Sequence, residues 1–148
     1  SCSIITRQIQ ELVEEEGPIT GNLLNDRIAD AWGFTHSGDK IIKIIGSCIP
    51  LNLNRDYTEQ GIVYWATNDQ APANLKYFRG TASDSTEPPR SIENIIIEEL
   101  IAAMRCVYLD YHTTDKGVIY KEVLKFFGYK VVTDKVRPYL DAAWERAF

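Results

Sequence analysis

Two histidines and three cysteines in 148 residues leave little material for a metal centre. No C-x-x-C pair occurs, and Cys2, Cys48 and Cys106 combine with His36 and His112 at no spacing that a four-ligand zinc site uses. No metal is therefore expected. The cysteines read as free thiols, with Cys48 and Cys106 on apolar faces of predicted helices and Cys2 at the fraying N-terminal end. Nucleotide and hydrolase chemistry lack their usual strings as well: GxxxxGK(S/T), GxGxxG, HExxH and GxSxG are all missing. Ser47 and Cys48 lie inside a predicted helix without an evident base to activate them, so no catalytic residue and no cofactor is expected. Charges interrupt the apolar runs at 41–45 and 95–97 within a few residues. Neither a membrane-spanning helix nor a signal peptide is expected, and the chain should work in the cytoplasm. Beginning at Ser1, it reads as a piece of something longer.

Positive charge is scarce too. Lys and Arg number 16 against 21 Asp and Glu, a net charge of -5. Phosphate neutralisation supplies most non-specific nucleic-acid affinity, so a binder with this balance has to gather its few cations on one face. The 45% hydrophobic content is enough for one well-packed domain or two small ones.

What is present is organised around residues 16–49. Gly17-Pro18 stops the preceding helix, predicted over 4–15 with Ile5, Ile9, Leu12 and Val13 inward. Thr20 or Asn22 can cap the next helix, whose apolar face is Leu23, Leu24, Ile28, Ala31 and Trp32. Gly33 ends it. Ser37 and Gly38 cap a third helix with an Ile41, Ile44, Ile45, Cys48 and Ile49 stripe. Two short amphipathic helices joined by a tight turn bury both stripes only by crossing steeply, as in a helix-turn-helix.

Two runs rich in β-branched and aromatic residues follow, 62–66 and 75–79, with a loop between them. Helix, short extended segment, two helices and a strand pair is the order of a winged helix. The Gly-, Ser-, Thr- and Pro-rich stretch 81–91 reads as a linker. A long helix capped by Ser91 should then run to Asp110, followed by helices over 118–127 and 134–147. The expected fold is mainly α with a small β-hairpin: a winged-helix-like unit over 1–80, the linker, and a second three-helix, helix-turn-helix-like unit over 92–148.

The second unit repeats the first at an offset of 95 residues. Ile9 falls on Met104, Leu24 on Ile119, Ile28 on Val123, Trp32 on Phe127 and Ile45 on Leu140, while Gly33, Asp39 and Lys40 recur as Gly128, Asp134 and Lys135. That offset is not a whole number of turns at about 3.6 residues each, so helical period alone does not produce the match.

Glu16-Gly17-Pro18-Ile19, Arg27 through Phe34, Gly38 and Ile41 together resemble an uncharacterised C-terminal domain of large bacterial helicase-like proteins of superfamily one. Residues 89–103 and those from Gly128 onward resemble its second half. The resemblance implies a module beside a DNA or RNA motor, with the ATPase elsewhere in the parent protein. Its partners would be nucleic acid and the parent's motor domains.

On that reading the candidate nucleic-acid contacts are His36 and Ser37 in the turn, and Lys40 and Lys43 on the helix that would enter a groove. Lys76 and Arg79 would flank a wing, and Lys130 and Lys135 repeat the arrangement in the second copy. A solvated polar face accounts for the same residues. The competing expectation is a protein-docking or assembly module without nucleic-acid contact. Trp32, Trp65 and Trp144 are expected in the core, because each falls in an apolar pattern.

Overall fold

Helix α1 (Ser3–Glu16) places Ile9 and Val13 one turn apart on the same face, and both are fully buried. Gly17 ends the helix, donating its N–H to the Val13 carbonyl at 2.8 Å, and the Gly17–Pro18 peptide is cis. Strand β1 (Ile19–Thr20) follows, and Thr20 caps helix α2 (Gly21–Ala31) by accepting the Leu23 N–H on its hydroxyl oxygen at 3.3 Å. Helix α3 (Asp39–Ser47) leads to strands β2 (Asn54–Thr58) and β3 (Gly61–Trp65). The antiparallel sheet has the order β1-β3-β2, with Ile19 opposite Tyr64 and Arg55 opposite the same Tyr64 on the other side.

The computed structural model describes residues 2–35, 37–81 and 89–148. Among these the fold is mainly helical, with six α-helices and this small three-stranded sheet, and it divides into two compact units, Ser1–Asn74 and Leu75–Phe148.

Gln70 joins the sheet to α1 in the N-terminal unit. Its amide nitrogen donates to the Val13 and Glu14 carbonyls at 2.9 Å each, and its amide oxygen accepts the Ala66 N–H at 2.8 Å. The last carbonyls of a helix have no partner within it, so a buried side chain satisfies here what water satisfies elsewhere.

The C-terminal unit is built on α4 (Ile97–Tyr111), α5 (Lys116–Phe126) and α6 (Arg137–Ala147). Its core runs through Leu100, Met104, Val107, Ile119, Val123, Phe127 and Leu140. Residues 75–81 belong to this unit and lie over the end of α5. The Phe78 ring sits 4.9 Å from that of Phe126 and 5.6 Å from that of Phe127, and the Thr81 N–H donates to the Phe126 carbonyl at 2.7 Å. The Glu99 carboxylate accepts the Arg79 backbone N–H at 2.9 Å and a two-pronged contact from the Arg90 guanidinium.

The repeat recurs in local geometry. Helix α5 begins and ends at the offset of α2, and Asp115 accepts the Val118 N–H as Thr20 accepts that of Leu23. After each helix the chain turns the same corner. The Phe34 N–H donates to the Ala29 carbonyl and the Tyr129 N–H to that of Leu124, both at 2.9 Å. Gly33 and Gly128 lie between with φ of 85° and 86°, a backbone conformation that costs glycine nothing.

Several expectations require correction. No strand forms over 75–79: β3 pairs instead with Asn54–Thr58 through the tight turn at Glu59 and Gln60. Strand β2 lies at the sheet edge, exposed along nearly its whole length, so it carries no apolar alternation, whereas Phe78 of the segment 75–79 packs on the core of the other unit. Ser91 opens a 3-10 turn (Ile92–Asn94) without a side-chain cap, and α4 starts only at Ile97. The last helix starts at Arg137, with Pro138 in its first turn, where the missing N–H costs nothing. Of the expected linker, residues 82–88 lie outside the described residues, while Thr81 and Arg90 pack within the C-terminal unit.

Trp32 is 49% exposed and Ile44 52%, so neither is core. Cys2 and Cys48 form a disulfide rather than free thiols. The start of α1 lies against the end of α3, where the Thr6 hydroxyl donates to the Cys48 carbonyl at 2.7 Å, and this contact joins two cysteines 46 residues apart. Cys106 remains free, its thiol pushed up by burial and then by Asp110 beside it.

Candidate functional site

Helix α3 and the β2-β3 hairpin carry the surface on which the expected contacts partly converge. Ile45 and Cys48 fix α3 to the core, which leaves Lys40 and Lys43 exposed together, three residues apart on one side. Ile42 (39%) and Ile44 (52%) are exposed on the same helix. Beside Ile42 lies a cleft of about 210 Å³ between α2, α3 and the hairpin turn. Its apolar lining includes Ile42, Ile49, Ile62 and Tyr64, and its polar lining includes Asn25 and Gln60.

Charge around this surface is mixed. Asp39 precedes Lys40, and the hairpin offers Asp56 and Glu59 to solvent. Arg55 is the cation of the hairpin, yet it is turned inward: its guanidinium donates to the Pro50 carbonyl at 2.9 Å and lies 5.2 Å over the Tyr64 ring. Burial pushes the Tyr64 hydroxyl above its ordinary range, with Arg55 pulling it partly back.

The remaining expected contacts go elsewhere. His36 lies outside the described residues. The Ser37 hydroxyl donates to the Asp26 carboxylate at 2.9 Å, tying the turn to α2. Lys76, Arg79, Lys130 and Lys135 all belong to the C-terminal unit, where Arg79 lies 3.9 Å from buried Glu99 and Lys135 lies 3.8 Å from Glu93. Thus Lys76 and Arg79 flank no wing, because the segment that carries them is not part of the sheet.

Sequence reasoning missed the cleft and the Arg90–Glu99 pair. The cleft depends on a hairpin whose outer strand has no apolar signature. The ion pair has none either, since Glu99 sits among ordinary helix-forming residues of α4. Among the described residues, no group of three or more His, Cys, Asp or Glu side chains is placed to hold a metal ion, and no helix is long and apolar enough to cross a membrane.

Residues 1–43 match the model of a family described as "Protein of unknown function (DUF3320)". No curated protein and no solved structure matches the chain. The matched residues cover α1, β1, α2 and the start of α3, and over them the chain is similar to a domain that is uncharacterised.

Proposed function

We propose that this chain is a non-catalytic accessory module of a larger helicase-like protein, and that its N-terminal unit is a winged helix docking onto the motor regions of that protein through α3 and the hairpin. The element order and the β1-β3-β2 sheet support the winged-helix reading. The left-handed corner after α2 at Gly33, repeated after α5 at Gly128, supports a helix-turn-helix relation between the two units.

One observation carries the choice of docking. The helix that would read a groove exposes Ile42 at a cleft lined by Ile49, Ile62 and Tyr64, while the hairpin at its flank exposes Asp56 and Glu59. An apolar centre with a polar rim is the anatomy of a protein interface, whereas a phosphate backbone demands a cationic one. A second reading, nucleic-acid contact, draws on Lys40 and Lys43, exposed on one side of α3.

A salt titration of duplex and single-stranded DNA binding by the whole chain tests the choice. Docking predicts no salt-sensitive binding even at low ionic strength. Binding that weakens steeply with salt and disappears in Lys40→Ala and Lys43→Ala overturns docking in favour of nucleic acid.

A further inference from the structure

The two corners that follow α2 and α5 share a backbone and differ in what covers them. In the C-terminal unit the corner Phe127-Gly128-Tyr129 lies under residues 75–81 and 89–91. Phe78 packs on Phe126 and Phe127, a Cβ built at Gly128 would lie 3.1 Å from Pro89 and 3.3 Å from Thr81, and the Tyr129 hydroxyl donates to the Arg90 carbonyl. Phe127 is 1% exposed as a result. Glu99 at the start of α4 holds this cover down through Arg79 and Arg90.

At the equivalent positions of the N-terminal unit stand Trp32, Gly33 and Phe34, with Ile4 in place of Glu99. Here the corner is bare among the described residues. Trp32 and Phe34 are each 49% exposed, Ile4 is 52% exposed, and a Cβ at Gly33 would meet nothing within 4 Å. The Trp32 indole N–H donates to the Gln8 side-chain oxygen at 2.8 Å, which sets the ring against α1 one turn from Ile4. Trp32 and Ile4 thereby lie on one exposed face, and Phe34, two residues on from Trp32, is exposed at the same corner.

We propose that this face receives a non-helical, aromatic-bearing segment of a partner protein, seated as residues 75–81 are seated in the C-terminal unit. Charge narrows the occupant. Glu11, one turn from Gln8, and Asp30, two residues before Trp32, are exposed where the C-terminal unit has Cys106 and Lys125, so the segment carries cations beside its aromatic residue. Ile4 in place of Glu99 removes the carboxylate that grips arginine, so the anchor is apolar contact with Ile4, Trp32 and Phe34. This surface is separate from the α3 cleft, and the proposal stands whether or not that docking reading does.

The probe is a synthetic peptide of the chain's own cover, Leu-Lys-Tyr-Phe-Arg-Gly-Thr, with blocked ends, titrated to about 1 mM into the isotope-labelled whole chain and followed by nuclear magnetic resonance. The expected result is a saturable shift of the Trp32 indole N–H and of the Gly33 and Phe34 amides. Affinity should fall roughly tenfold when the peptide phenylalanine is replaced by alanine, and again in the Trp32→Ala chain. Glu11→Lys combined with Asp30→Lys weakens binding without altering the amide spectrum elsewhere. Shifts confined to Phe127 and Tyr129 mean that the peptide has displaced the resident segment, and they overturn the proposal. So does the absence of saturation, and so does self-association of the chain that Trp32→Ala abolishes, which assigns the face to a second copy.

Discussion

Arg90 and Glu99 meet in a two-pronged ion pair, with guanidinium nitrogens 2.9 and 3.0 Å from the two carboxylate oxygens and the Glu99 side chain only 2% exposed. The same guanidinium donates to the Arg79 carbonyl at 2.7 Å and lies 5.7 Å over the Phe127 ring. One carboxylate thus holds the two chain segments that cover α5. Removing it leaves an arginine buried without its partner, so Glu99→Ala should destabilise the C-terminal unit by roughly 3–5 kcal/mol. Arg90→Met combined with Glu99→Leu should cost less, because the more deeply buried guanidinium is removed together with its carboxylate. Urea unfolding of the three chains checks this; equal losses in the single and double variants would refute it.

Trp32 and Phe127 occupy equivalent corners with opposite burial. Truncating the buried ring, Phe127→Ala, should cost about 3–5 kcal/mol, because it opens a cavity in a packed core. Trp32→Ala should cost under about 1 kcal/mol, since half of that ring already meets water. Denaturant midpoints of the two variants provide the comparison.

Gln70 meets two carbonyls at the end of α1 and the Ala66 and Thr67 amides after β3. Gln70→Leu keeps the volume and deletes its hydrogen bonds to the Glu14 carbonyl and the Ala66 amide, at a cost of about 1–3 kcal/mol, while the Val13 carbonyl keeps the Gly17 N–H. Hydrogen exchange at the Ala66 amide should accelerate in the variant, and unchanged exchange there would show that the contact is dispensable.

The Cys2–Cys48 disulfide closes a loop across the core of the N-terminal unit, with the two cysteines 46 residues apart in sequence. Constraint of the unfolded chain on that scale contributes roughly 3–4 kcal/mol. Reductant should lower the unfolding midpoint of the native chain and leave Cys48→Ser, already lowered, unmoved.

Tyr120 donates its hydroxyl to the Asp141 carboxylate, and burial first, then this hydrogen bond, raise its pKa well above the ordinary value of about 10. A group whose pKa is higher folded than unfolded contributes stability that is complete below the unfolded value. That contribution is lost as pH rises from about 10 toward the folded value. The native chain should therefore lose stability on the alkaline side more steeply than Tyr120→Phe. Parallel alkaline limbs in the two chains would show that this hydroxyl does not control the loss. Tyr64 and Tyr129 are also raised, chiefly by burial, and keep part of the slope in the variant.

Elements whose reason is local were legible in the chain itself. Thr20 and Gly33 bound α2 because a cap and a left-handed corner are made by the residues beside them, and the 95-residue repeat carried the same bounds to α5. Buried stripes such as Ile9 with Val13, or Ile119 with Val123, followed from helical period. Pairings between residues far apart in the chain were decided only by tertiary structure. Strand β2 is polar because it is an edge, so nothing in its composition announced its pairing with β3. Leu75–Arg79 looks like a strand because it is rich in apolar and aromatic residues, yet its Phe78 packs on Phe126 and Phe127. The disulfide, the Arg90–Glu99 pair and the exposure of Trp32 have the same origin: whether a side chain is covered depends on which distant segment arrives above it, and that is a property of packing, not of period.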